Sequence, residues 1–140
     1  MLLLGLTVPA VVYAQAHRVR RRIAEALREA FRVHGLDALI APTIPITAPT
    51  ILDMTRPDGG ADLSGLVHHN LPANLAGIPA LSVTCGFADG MPVGLQFMGR
   101  PLDEGRILTL GHAYETTTHW CRRPIQPRHA EGSGHRPANG

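Results

Sequence analysis

Asn74-Leu75-Ala76-Gly77-Ile78-Pro79-Ala80-Leu81-Ser82-Val83-Thr84-Cys85, joined through Gly86–Gly90 to Met91-Pro92-Val93-Gly94-Leu95-Gln96-Phe97-Met98, is the stretch on which the fold turns. Its first six residues end a helix and its next six alternate as a strand does, with Gly77 and Pro79 making the corner. Residues 80–85 and 93–98 are two strand candidates, and Asp89-Gly90 lies within the 86–92 segment that joins them as a hairpin. Gly94 inside the second strand marks a place where another group comes close to the backbone.

On the N-terminal side, Val12, Val19, Ile23, Leu27 and Phe31 recur at spacings of four and seven and predict one long amphipathic helix over residues 8–34. Gly35 stands where such a helix stops. Arg21 with Glu25 and Glu29 with Arg32 are spaced for ion pairs along it. Residues 36–41 are a short apolar run that predicts a buried strand. Pro42, Pro45, Pro49 and Pro57 enforce an extended loop to about residue 62. A helix over 63–76, interrupted at Pro72, and a last helix opening at Asp103 and Glu104 complete the order. In the latter, Ile107, Leu110, Gly111 and Tyr114 line up on one face. The fold class is therefore α/β, with sheet strands packed between helices. Residues 125–140 have no periodicity and read as a disordered tail.

Composition narrows the chemistry. The chain has 140 residues, 44% of them hydrophobic, and every one of its 13 basic residues is Arg. A protein without lysine has no Schiff-base lysine, no lysine general base and no P-loop lysine. Serine occurs only at Ser64, Ser82 and Ser133. Neither Ser82 nor Cys85 lies in a nucleophile elbow, and both are expected in the core of a strand. Cys85 and Cys121 are expected as reduced thiols of a cytoplasmic protein. His68-His69 and the His112–His119 pair lack the partners of a metal set, so no metal and no cofactor are expected. Arg18, Arg20, Arg21 and Arg22 fall on the polar face of the first helix, where a solvated face is favoured over nucleic-acid contact. The apolar run 1–6 is too short for a membrane span and lacks the basic start of a secretory signal, so it is read as the lead-in of the helix.

Several blocks in order resemble one family. They are Leu36–Pro45, Asn74–Val83, Gly90–Gly99, Pro101–Glu104 and His112–Glu115. Together they are similar to the C-terminal end of the amidase signature family, which includes broad amidases and the A subunits of tRNA amidotransferases. The resemblance covers about Val8 to Pro124, so residues 1–124 are expected to be the C-terminal portion of an amidase domain, a partial amidase-signature fold with a mixed sheet. It implies an amide hydrolase that uses a Ser, a second Ser and a Lys, with backbone N–H groups holding the oxyanion. Those groups belong to other parts of the family's sequence, so no catalytic residue is expected in this chain. In the A subunits of tRNA amidotransferases, an acidic residue that helps hold glutamine lies seven positions before the Asn of the Asn-x-x-Gly motif. Val67 stands there, and Val67 and Asn70 are the candidate wall of a substrate pocket. A small amide is the expected ligand only when the rest of the fold is present. The alternatives are a non-catalytic interaction module, a complementing half of a split amidase or tRNA amidotransferase component, and a homo-oligomer.

Overall fold

The computed structural model describes residues 7–55 and 67–125. The expectations for residues 1–6, 56–66 and 126–140 lie outside these. In chain order the elements are α1 (Ala10–Val33), β1 (Leu39–Pro42), α2 (Ile51–Thr55), α3 (Leu71–Ala76), β2 (Ala80–Ala88), β3 (Met91–Met98) and α4 (Glu104–Thr118), followed by a 3₁₀ turn at Trp120–Arg122. The described strands form one antiparallel sheet in the order β1-β3-β2.

Helix α1 ends as its sequence dictates. Gly35 takes a φ of +59°, and the Leu36 N–H returns to Phe31 O at 3.2 Å, the longer bond of a Schellman closure. The chain then enters β1, whose Leu39, Ile40, Ala41 and Pro42 face Met98, Phe97, Gln96 and Leu95. This strand is an edge, not the buried strand expected, and Ile40 is 66% exposed. Pro42 can end it because an edge strand tolerates a missing N–H. The long proline loop is broken by α2, one short helix that its prolines do not announce.

The hairpin is longer than the two strand candidates. Asp89 and Gly90 both have positive φ, 54° and 75°, which makes a two-residue turn whose twist suits the strands on either side. Pairing therefore runs from Ala88↔Met91 to Ala80↔Met98. The register shifts between Thr84 and Gly86, so Cys85 is the extra residue of a bulge. Pro72 does not interrupt a helix. It sits in the first turn of α3, where a missing N–H leaves no bond unmade.

Two apolar layers hold the sheet. On one face Ala24 and Phe31 of α1 and Ala73 and Ala76 of α3 pack with Ile78 and Met98, with Leu27, Leu36, Leu39 and Ala41 around them. On the other, Ile107 of α4 packs with Val83 and Phe97, ringed by Leu81, Leu95, Leu110 and Tyr114. Burying these side chains is what stabilises the arrangement, at about 1.5–3 kcal/mol for each large one. Exposed polar ties then set the connections. Arg100 donates to Leu36 O at 2.9 Å, and Arg106 bridges Asp37 and Asp103 at 2.5 and 2.9 Å. Such exposed ion pairs add little, roughly 0–1 kcal/mol each.

The stripe of α1 is covered only in part. Phe31 is 2% exposed, but Val12 and Val19, from the same stripe, are 47% and 54% exposed. The first half of the helix extends past α3 without a layer on its apolar side among the described residues.

Candidate functional site

Strand register decides which side chains meet. On the face of the sheet that carries Met98, successive rows run Leu39–Met98–Ala80, then Ala41–Gln96–Ser82, then Gly94–Thr84. Thr43 follows β1 on this side, and its N–H donates to Gly94 O at 2.8 Å. The face is thus apolar at one end and polar at the other, where Thr43, Ser82, Thr84 and Gln96 gather. A sheet face that packed only against helices would continue apolar.

The polar end is bonded internally. The hydroxyl oxygens of Thr43 and Ser82 are 2.6 Å apart. Gly94 makes room for them, since a Cβ there would lie 2.7 Å from Thr43 Oγ1 and 2.9 Å from Ser82 Oγ. Gln96 is buried, and its Nε2 donates to Asn70 Oδ1 at 2.7 Å. Asn70 precedes α3, and the Asn70 N–H donates to Val67 O at 3.0 Å. Val67 itself is 49% exposed.

The two sequence candidates therefore lie in one turn, and that turn is tied to the sheet. Three polar residues of the cluster, Thr43, Ser82 and Gln96, were not singled out from sequence as site residues. The available signal was a glutamine placed between Leu95 and Phe97 in a strand whose other neighbours are apolar. Ser82 corrects an expectation, because it is exposed and not a core residue. Its bonding partner is a hydroxyl, which cannot act as the base a nucleophilic serine needs. Cys85 is half-buried in the bulge, and Cys121 is exposed.

Charge is absent from this cluster and concentrated on α1. Arg18, Arg21 and Arg22 are exposed, as a solvated face requires. Arg20 differs, because its Nε donates to Leu75 O at 2.7 Å and satisfies a carbonyl at the end of α3. Among the described residues Arg21 and Glu25 form no ion pair, whereas Arg32 and Glu29 do, at 2.5 Å. That guanidinium holds the Glu29 carboxyl below its ordinary value. An open groove of about 1000 Å³ runs between α1 and α3, past Tyr13, His17, Arg18 and Leu75. It contains neither Val67 nor Asn70 and is an open cleft along the arginine face. Among the described residues no three His, Cys, Asp or Glu side chains stand close enough to share a metal ion. No described helix is long and apolar enough to cross a membrane.

A sheet held between helical layers, with hairpin and turn blocks in this order, is the architecture of one class of hydrolases. The sequence pattern of the family described as Amidase matches residues 5–108, and the chain belongs to that family. A curated relative, the A subunit of glutamyl-tRNA(Gln) amidotransferase from Synechococcus sp. (strain JA-2-3B'a(2-13)), is 40% identical over 128 residues, which are 89% of this chain and 24% of the relative. A solved amidase structure is 32% identical at a TM-score of 0.72, over 83% of this chain and 27% of its own. The peptide amidase of Stenotrophomonas maltophilia is 34% identical at a TM-score of 0.59, over 91% and 23%. The chain thus spans about a quarter of the length of the curated relative it matches.

Proposed function

We propose that this chain is the scaffold and pocket-wall segment of an amide hydrolase whose nucleophile and lysine come from sequence beyond these 140 residues. The relatives and the absence of lysine support this reading together, since one gives the reaction class and the other excludes a complete Ser-Ser-Lys set here. Its substrate is a general or apolar amide and not glutamine. The observation that carries the preference is Val67, half-exposed and apolar, where the A subunits of tRNA amidotransferases place an acid. A carboxylate there would attract the α-ammonium of glutamine, and an isopropyl group offers it nothing.

The reaction in such a site is attack on the amide carbonyl by a serine, loss of the amine and hydrolysis of the acyl-enzyme. This chain's residues orient the substrate and exclude water from one side. Two unbridged cysteines suit a reducing, cytoplasmic setting. The half of α1 left without cover among the described residues suits a completing segment packed on it; in one variant of the reading that segment is a separate partner chain and this chain alone is an interaction module.

The test is completion. The chain is co-expressed with, or fused to, the Ser- and Lys-bearing part of a family member, and ammonia release is followed from apolar primary amides and from glutamine. Apolar amides are expected to turn over at higher kcat/KM, and Val67→Asp to shift the ratio toward glutamine by about tenfold. A well-folded complex with no turnover of any amide overturns the proposal.

A further inference from the structure

We propose that Gln96 is a positioning residue, the buried strut that holds the Val67–Asn70 turn against the sheet; the inference rests on the reading of that turn as a pocket wall. Gln96 lies mid-strand in β3 and is 6% exposed. A leucine or methionine of similar volume would satisfy packing at such a place, with no polar atom to bury. The carboxamide has instead two ends to satisfy, an NH2 that donates and a carbonyl oxygen that accepts. Its Nε2 is used on Asn70 Oδ1, a contact across 26 residues of sequence. Its Oε1 is buried and has no partner among the described residues.

Asn70 shows the same departure from local economy. An asparagine before a helix ordinarily turns its side-chain oxygen onto the N–H groups of the first turn. Asn70 makes no such cap, and Pro72 removes one of the N–H groups it would have used. Its oxygen is committed to Gln96. Its backbone meanwhile serves both sides, with the N–H on Val67 O and the carbonyl accepting from the Asn74 N–H at 3.1 Å. One side chain from the sheet therefore sets the residue that links Val67 to α3. Where Val67 presents its isopropyl group is decided by the Gln96–Asn70 bond, not by the turn alone.

Hydrogen exchange of the chain, read residue by residue by NMR, tests this with Gln96→Met, a variant of nearly equal volume. The Asn70 and Asn74 amides are expected to exchange about tenfold faster, while Val83 and Phe97 stay within about twofold. The reciprocal pair Asn70→Gln with Gln96→Asn keeps both carboxamides and is expected to restore much of the protection. An unchanged Asn70 amide overturns the proposal, and so does a uniform rise at Asn70, Val83 and Phe97, which would make Gln96 a general support of the fold. In the completed enzyme Gln96→Met is expected to raise KM about tenfold with kcat within about twofold, the pattern of lost uniform binding. A fall in kcat at constant KM overturns it too. If the completed wild-type enzyme hydrolyses no amide, the pocket reading fails while the exchange result on the strut still stands.

Discussion

Replacing Gly94 by alanine probes the polar end of the sheet directly. The added Cβ would lie 2.7 Å from Thr43 Oγ1, 2.9 Å from Ser82 Oγ and 3.0 Å from Thr43 Cβ. The two oxygens are nearer than a Cβ can sit, so the hydroxyls must part, while the Thr43 Cβ contact asks only for a shift of a few tenths of an ångström. Loss of one hydroxyl bond, between half-buried Thr43 and exposed Ser82, is worth about 1 kcal/mol. Overpacking adds about 1–3 kcal/mol. The intrinsic preference for alanine over glycine in a strand returns about 0.5 kcal/mol. The net expectation is a loss of about 2 kcal/mol, which lowers the midpoint of thermal unfolding by about 7 °C for a domain of this size. The same substitution made in a Thr43→Ala, Ser82→Ala background meets no hydroxyl oxygen and is expected to lose less than about 1 kcal/mol. Urea unfolding of the four proteins completes the cycle. A Gly94→Ala variant within about 0.5 kcal/mol of the parent, or one equally destabilised in both backgrounds, would contradict a steric clash with the hydroxyl pair.

Phe31→Ala empties the joint between α1, α3 and the sheet, and is expected to cost about 3–5 kcal/mol in urea unfolding, far more than Val19→Ala on the uncovered half of the same stripe. Arg20→Met keeps the aliphatic stem but leaves Leu75 O to water, for an expected loss of about 1 kcal/mol and faster exchange near the end of α3. The Glu29 carboxyl, lowered by Arg32, is expected to titrate at higher pH in an Arg32→Gln variant, read by NMR of its side chain. Because the folded value is depressed, the pair's contribution is present above the ordinary carboxylate range and is lost as pH falls through the folded value. Both groups are exposed, so added salt near half-molar, roughly 0.5 M, should erase most of the difference without moving the unfolding midpoint.

Much of the architecture was legible in the order of residues, because it depends on rules that act within a few positions. A stripe from Val12 to Phe31 and a glycine at 35 define α1 to within a residue or two of Ala10–Val33, since helical periodicity and the left-handed closure are both local. Asp89-Gly90 marks a hairpin for the same reason, although the strands proved longer than 80–85 and 93–98. Val67 and Asn70 were reached only through the spacing of a family motif. Nothing in their own side chains advertises a site.

The remainder was set by tertiary structure. Periodicity says which residues share a face but not which neighbour covers it, so Phe31 and Val19 look alike in sequence and end up buried and bare. It does not supply the register that sets Ala41, Gln96 and Ser82 in one row, or the bulge at Cys85 that shifts that register halfway along β2. Gln96 meets Asn70, and Thr43 meets Ser82, only because strands and a turn separated by 26 and 39 residues are brought together by burial of the apolar rows beside them. The elements, the family and the missing lysine are local or additive properties of the chain and can be read along it. The polar end of the sheet is a property of pairing, which depends on the free energy of the whole assembled core.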